Sequence, residues 1–360
     1  MPIKTVANFD IKYLQILDEN GNVDEKLFEE LKLSNEKIKE MYFYMLLART
    51  FDNKAFSLQR QGRLLTYAPL LGQEACQVGV ALAIEKNDWI FPSFRENGAA
   101  IVHGMPIEML FQYWSGDERG HRIPENVHWF PVCIPVSTHI PHAVGFAWGL
   151  KLKKSRDIVL CFFGDGATSK GDFYEALNFA GVFKVPLVAI IQNNQYAISV
   201  PRRRQSAAQT LAQKAIAFGF EGLQVDGNDI FAVYKSVKDA AEKARKGFGP
   251  SLIECYTYRM SHHTTADDWT KYRDKKEVEE WKKKDPIDRL KKFMIKRQIA
   301  DEKFFSEQEK KVQGIIEKAV EKMESFEPPK YSEIFSYTYV EMPQRLKEEL
   351  EEAQKLFGGK

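Results

Sequence analysis

The chain has 360 residues, a net charge of +2 and 44% hydrophobic residues, which suits one large or two medium domains with a real core. So balanced a charge leaves no electrostatic footprint for nucleic acid, and no apolar run reaches the length of a membrane span. Met1-Pro2-Ile3-Lys4-Thr5 lacks a signal-peptide core, and Asp10, Asp18 and Glu19 argue against a transit peptide. Cys76, Cys133, Cys161 and Cys255 are scattered, mostly in apolar runs, so buried reduced thiols and a cytoplasmic setting are expected.

Residues 1–33 show no clear period and read as an arm. Residues 34–330 read as an α/β domain, and 331–360 as a polar tail. Ser34 or Asn35 caps a long helix whose Ile38, Met41, Tyr42, Met45 and Leu46 form one stripe, ending near Gly62. Gln73 to Lys86 is a second helix, apolar nearly all round. Trp89-Ile90-Phe91 is a short strand stopped by Pro92. The polar run Ser93-Phe94-Arg95-Glu96-Asn97-Gly98 follows, where Arg95 is either a solvated surface residue or a phosphate ligand. A helix runs through Trp114, and the segment Gly116 to Val136 is a loop of a length that often carries function. Thr138 to Lys151 is helical, with Gly145 and Gly149 offering a small-residue face for close packing.

Ile158 to Phe163 is a continuous apolar run, the pattern of a strand buried on both faces. Gly164-Asp165-Gly166 follows, then a helix over Phe173 to Phe183, then a second buried strand from Pro186 to Ile191 closing on Asn193-Asn194. This strand-helix-strand unit puts Asp165 and Asn194 at the carboxyl ends of neighbouring strands, the rim where open α/β sheets bind ligands. One carboxylate and one amide oxygen are hard ligands suited to Mg²⁺, which leaves most of its sphere to water and phosphate. The glycines let the backbone approach an anion, and the following helix offers free N–H groups at its start. Dinucleotide and P-loop patterns both fail, because Ser169 and Lys170-Gly171 stand where those motifs need other residues. An ordinary strand-to-helix turn is the plain alternative, weakened by the paired Asn.

Ser206 to Phe218 is expected to be helical and Leu223-Gln224-Val225 to be a strand. A helix follows with Phe231, Val233, Tyr234 and Val237 apolar. The strand Ser251 to Tyr256 then discharges into the loop Tyr258 to Asp268 at the same rim. His262-His263 with Asp267-Asp268 admits three readings: a transition-metal cluster, a solvated loop, or a loop closing over an anionic cofactor. Adjacent histidines in a loop make a poor metal clamp, which favours the third. From Glu277 the chain is charged and helical.

The pairing of Gly164-Asp165-Gly166 with Asn193-Asn194 resembles the signature of thiamine diphosphate enzymes. The likeness extends through Tyr67-Ala68-Pro69, Gly72-Gln73-Glu74-Ala75, Phe94-Arg95-Glu96, Ile140-Pro141-His142-Ala143-Val144-Gly145, Gly171-Asp172-Phe173-Tyr174-Glu175, Tyr196-Ala197-Ile198-Ser199, Val225 to Asp229, and Tyr258-Arg259 through Tyr272-Arg273. Over roughly Tyr42 to Tyr337 the chain is similar to the alpha subunit of the thiamine-diphosphate-dependent decarboxylating component of 2-oxo acid dehydrogenase complexes. That resemblance implies a thiamine-diphosphate-binding α/β fold, a mostly parallel sheet flanked by helices, with helical extensions at both ends.

By the same resemblance, Asp165, Asn194 and the carbonyl of Tyr196 would hold Mg²⁺. Phe94, Arg95, Val136, Gly164, Asp165, Gly166, Ala167, Asn194, Tyr196, Ile198 and His263 would surround thiamine diphosphate. His263 would contact the diphosphate and act as a proton donor, and Val136 would bend the cofactor. The loop from Arg259 to Asp268 would order over the cofactor and help receive a lipoyl arm. Phe94 replaces a common Tyr and Gln192 an occasional Arg, each removing a phosphate contact. The implied reaction is oxidative decarboxylation of a 2-oxo acid, with acyl transfer to a lipoyl-bearing acyltransferase core. No activating Glu is assignable, so a beta subunit in an α₂β₂ heterotetramer would complete the site. A branched-chain acid such as 3-methyl-2-oxobutanoate is the expected substrate, with pyruvate or acetoin enzymes and half of a split transketolase as alternatives. A nucleotide-binding or metal-hydrolase module and a non-catalytic scaffold are more distant rivals.

Overall fold

The apolar runs that punctuate the chain become one six-stranded parallel sheet, in a computed structural model that describes residues 3–358. In chain order its elements begin with β1 (Lys12–Leu14), α1 (Glu25–Leu31), α2 (Asn35–Arg60), α3 (Glu74–Leu82) and β2 (Trp89–Phe91). Next come α4 (Asn97–His103), α5 (Ile107–Trp114), α6 (His139–Leu152), β3 (Val159–Gly164), α7 (Gly171–Phe183) and β4 (Leu187–Asn193). The hairpin β5 (Tyr196–Ala197) and β6 (Val200–Pro201) leads to α8 (Arg202–Gln205), α9 (Lys214–Ala217), β7 (Glu221–Asp226), α10 (Ile230–Arg245) and β8 (Ser251–Tyr256). The helices α11 (Lys275–Lys282), α12 (Pro286–Lys296) and α13 (Glu302–Glu324) complete the body, and α14 (Glu333–Ser336) and α15 (Gln344–Phe357) occupy the tail. None of the described helices is long and apolar enough to cross a membrane.

The sheet order is β1-β7-β8-β4-β3-β2, with every pairing parallel. Side chains alternate along each strand, and both faces are covered. Leu160, Phe162, Val188, Ile190 and Ile253 join the core beneath α2, α4, α5, α10 and α13. Val159, Cys161, Phe163, Leu187, Ala189 and Ile191 join the core beneath α6 and α7. That two-sided burial is why β3 and β4 read as unbroken apolar runs.

Ser34 caps α2 through the amide of Lys37, and the helix ends before Gly62 as the stripe predicts. Several expectations shift. The helix begun at Gln73 stops at Leu82, because the Asp88 carboxylate accepts from the amide of Glu85 and closes a turn ahead of β2. The segment from Ser206 to Phe218 is helical only over α9. There the buried Glu254 carboxylate accepts from the amides of Leu211 (2.8 Å) and Ala212 (2.9 Å), holding the chain in another path. The aperiodic N-terminal stretch contributes an edge strand, anchored where Asp229 accepts from the amides of Ile16 and Leu17. Apart from the chain neighbours and the helix's own backbone, nothing among the described residues lies within 4 Å of a Cβ built on Gly145 or Gly149. The small-residue face of α6 is therefore open rather than packed.

Candidate active site

A cleft of about 630 Å³ opens beyond the carboxyl ends of β2, β3, β4 and β8. Arg95 enters from the loop after β2, Asp165 follows β3, Asn194 follows β4, and Arg259 and His263 follow β8. Parallel pairing of β3 with β4 and of β4 with β8 brings these strand ends together. All eleven residues singled out above, from Phe94 and Arg95 to His263, line this cleft.

Asp165 is buried, and among the described residues its carboxylate has one side-chain partner, Gln205, whose Nε2 donates at 3.0 Å. Burial pushes its pKa up to about 6. Gly166 sits where a Cβ would come within 2.8 Å of the Ala197 Cβ, so the glycine is required by the hairpin lying over it. The chain then makes a short turn over Asp165–Ser169, pinned by the Thr168 hydroxyl donating to the Asp165 carbonyl. Consequently α7 starts at Gly171, five residues past Gly166, and its N-terminus does not lie directly behind the paired glycines as expected.

Asn194 donates its Nδ2 to the Gln73 Oε1 at 3.0 Å. The Tyr196 carbonyl accepts from Arg259 Nη1 at 3.2 Å, which leaves one of its two lone pairs. A carboxylate, an amide oxygen and a backbone carbonyl can hold a small hard cation that takes its other ligands from phosphate. No group of three His, Cys, Asp or Glu able to hold a metal exists among the described residues. The histidine pair divides instead: His262 stacks on Phe56 while His263 faces the cleft.

The charge balance is the informative feature. Arg95 and Arg259 are 4% and 0% exposed, and among the described residues neither pairs with a carboxylate. Arg95 donates to the carbonyls of Pro69 (2.6 Å) and His263 (3.0 Å). Arg259 donates to the carbonyls of Tyr196 and Ile198 (2.7 Å) and to the Tyr272 hydroxyl (3.0 Å), and its Nε has no partner. Burial, with Arg259 nearby, lowers the Arg95 pKa to about 10. Two buried cations side by side call for an anion, and a diphosphate supplies one.

His263 lies between them. Its Nδ1 is 3.2 Å from both Arg95 Nη2 and Arg259 Nη1, and guanidiniums only donate. Nδ1 is thus the acceptor and Nε2 carries the proton. Burial, then the two guanidiniums, hold the His263 pKa down to about 3. The loop is braced from behind: Arg273 donates to the Ser261 carbonyl at 2.6 Å and to the carbonyl of Arg259. Its guanidinium sits among the rings of Trp269, Tyr258, Tyr196 and Tyr272.

Backbone strain gathers here as well. Ser137, Gln195 and Ile198 adopt φ of 77°, 75° and 55°, and for the β-branched Ile198 that is a true outlier. Such strain typically costs on the order of 1–3 kcal/mol per residue and clusters at functional sites.

A profile of the family described as "Dehydrogenase E1 component" matches residues 42–332. Three curated proteins, each named pyruvate dehydrogenase E1 component subunit alpha, align over nearly their whole lengths. The one from Acholeplasma laidlawii is 46% identical over 95% of this chain and 99% of its own. The one from Staphylococcus aureus strain Mu50 is 42% identical over 96% and 93%, and the one from Mycoplasma genitalium 39% over 95% and 96%. The chain belongs to the dehydrogenase E1 component family.

As an E1 alpha subunit, it carries side-chain partnerships that sequence reasoning did not pair. Glu96 accepts from the amides of Ser93 (2.9 Å) and Arg95 (3.1 Å) and from the amide side chain of Gln192, fixing the Arg95 backbone. Gln192 in turn accepts from Gln77 Nε2 at 3.2 Å. Position 192 is therefore occupied in a buried network beside the cleft. Phe94 packs its ring under the Arg95 guanidinium and edge-on to His263. His139, also buried in the wall, approaches the Phe162 carbonyl through Nε2. The bonds of Glu96 to Ser93 and Arg95 are local, whereas the pairings of Gln192 with Glu96 and Gln77, of Phe94 with His263 and of His139 with Phe162 join residues more than twenty positions apart, which no local pattern signals.

Proposed function

We propose that this chain is the alpha subunit of a pyruvate dehydrogenase E1 component, with thiamine diphosphate held through Mg²⁺ in the cleft. The substrate assignment follows the relatives, whose printed names favour pyruvate over the branched-chain acid expected from the loop motifs. The site assignment rests above all on Arg95 and Arg259, two buried guanidiniums without a carboxylate. They fit a diphosphate, while Asp165, the Asn194 amide oxygen and the Tyr196 carbonyl fit its cation. Gly164, Gly166 and Ala167 form the floor, and Val136 and Ile198 form an apolar shoulder at the open side.

Bound thiamine diphosphate supplies the electron sink for loss of CO₂ from a 2-oxo acid. The chain's own residues neutralise the diphosphate, orient it and limit water. The Nε2 proton of His263, fixed by the two arginines on its other nitrogen, is the donor available to an anion in the cleft. Its low pKa makes His263 a neutral hydrogen-bond donor rather than a standing acid.

The site is half a site. Val136, Ile134, Ile198 and Val200 are exposed around the cleft mouth, and Trp148, Leu152, Val182 and Phe183 are exposed on α6 and α7 beside the open Gly145 and Gly149. A beta subunit is the occupant assigned to this apolar surface, giving an α₂β₂ assembly that passes the acyl group to a lipoyl-bearing acyltransferase. The test is a panel of 2-oxo acids with Mg²⁺, thiamine diphosphate and an artificial electron acceptor, run on the chain with and without its beta subunit. Turnover of pyruvate only by the assembly is expected. Full turnover by the chain alone, or a kcat/KM for 3-methyl-2-oxobutanoate above that for pyruvate, would overturn the reading.

A further inference from the structure

Gln73 stands at the N-cap of α3, a position that Ser, Thr, Asp and Asn favour because their short side chains reach the first free amides. Its side chain makes no such bond. The preceding Gly72 has φ +93°, and a Cβ there would lie 2.5 Å from the Tyr258 carbonyl, so the backbone is pressed against the loop that carries Arg259. From that fixed point the fully buried Gln73 side chain crosses to Asn194.

A carboxamide has an accepting end and a donating end of nearly equal size, and only the oxygen can ligate a cation. Which end of Asn194 faces the cleft is set by a chain of obligatory roles. The Leu70 carbonyl can only accept, and Gln73 Nε2 donates to it at 3.4 Å. Gln73 therefore presents Oε1 to Asn194, which must answer with Nδ2, at 3.0 Å. Its Oδ1 is left with one long approach, from the Tyr196 amide at 3.4 Å. Resting on the cleft's assignment as a Mg²⁺-diphosphate site, we propose that Gln73 is a positioning residue that locks the Asn194 amide with its oxygen toward the cation.

The experiment uses the alpha chain assembled with its beta subunit, and reads Mn²⁺ binding in the presence of thiamine diphosphate by electron paramagnetic resonance. Gln73→Met removes the acceptor at similar length and is expected to weaken Mn²⁺ binding about 10- to 100-fold, the usual effect of losing a partner that orients a metal ligand. Gln73→Glu keeps an acceptor for the same amide and should bind within about threefold of the parent. Asn194→Asp has an oxygen at either end of the group, so Gln73→Met should cost it little. A purely structural role for Gln73 would not be rescued in this way. Parent-like Mn²⁺ binding by Gln73→Met, or equal loss with and without Asn194→Asp, overturns the proposal. If Gln73→Met does not fold, a folded Gln73→Glu complex that has lost Mn²⁺ overturns it too, and one that binds like the parent supports it. Asp165→Asn separates the two layers. If it leaves binding intact, the metal-site reading itself fails. If it abolishes binding while Gln73→Met does not, only the orienting role is lost.

Discussion

Buried arginines are treated in opposite ways in two regions of this molecule. Near β1, Arg289 is 1% exposed and meets the Asp226 carboxylate at 2.8 Å. Arg49 is likewise clamped between Glu74 and Asp285. At the cleft, Arg95 and Arg259 are as deeply buried, yet their partners are carbonyls, a hydroxyl and a neutral imidazole. The first region is neutralised internally and closed. The second leaves its charge for something the chain does not contain.

The sharpest way to break this contrast is to unpair the closed region. Asp226→Asn strands Arg289 and should destabilise the chain by about 3–5 kcal/mol in urea unfolding, as breaking a buried pair does. Arg95→Met should behave in the opposite manner. It removes one of two like charges, so the ligand-free chain keeps or gains stability. It should lose most of the stabilisation by thiamine diphosphate with Mg²⁺, which for a ligand at a hundred times its Kd is about 2.7 kcal/mol. A drop in ligand-free melting temperature as large as that of Asp226→Asn would erase the distinction.

The cleft's charge also shows in pH. The folded chain holds His263 neutral down to about pH 3, against an ordinary 6.5. Between those values the unfolded chain binds a proton that the folded chain refuses, so stability falls as pH falls through that window, by at most about 1.4 kcal/mol per pH unit for one proton. Asp267, whose pKa is lowered by the His263 amide and Tyr272 despite partial burial, adds in the same direction at the acid end. His263→Asn should flatten the slope between pH 6 and 4, and an unchanged slope would show that the imidazole is not held between the arginines. Ile198→Gly relieves a left-handed β-branched residue and should raise stability by about 1 kcal/mol. Smallest of all, Trp148→Ala on the open face of α6 should change the chain's own stability by no more than about 0.5 kcal/mol, while weakening beta-subunit association in sedimentation.

Much of the scaffold could be read in advance. The apolar runs of β3, β4 and β8, the Ser34 cap and the motifs at the strand ends are local signals, since strand burial and turn chemistry are written within a few neighbouring residues. The segment from Ser206 to Phe218 could not, because its path follows from amides bonded to Glu254 more than forty residues away. The branched-chain preference finds no support in the relatives, which are named for pyruvate: the loop motifs lie beside Arg95 and Arg259 and carry little information about a 2-oxo acid's side chain.

On its own, the order of amino acids determined a parallel α/β sheet with Asp165 and Asn194 at adjacent strand ends, because unbroken apolar runs and breaker residues act over short range. Only the folded chain decided that Gln73 would accept from the Asn194 amide 121 residues away, that Gln205 would be the Asp165 carboxylate's side-chain partner, and that Arg95 and Arg259 would flank one imidazole with no carboxylate in ion-pair contact among the described residues. Hydrogen-bond polarity and uncompensated charge are properties of what surrounds a group in space, and chain neighbours do not specify them.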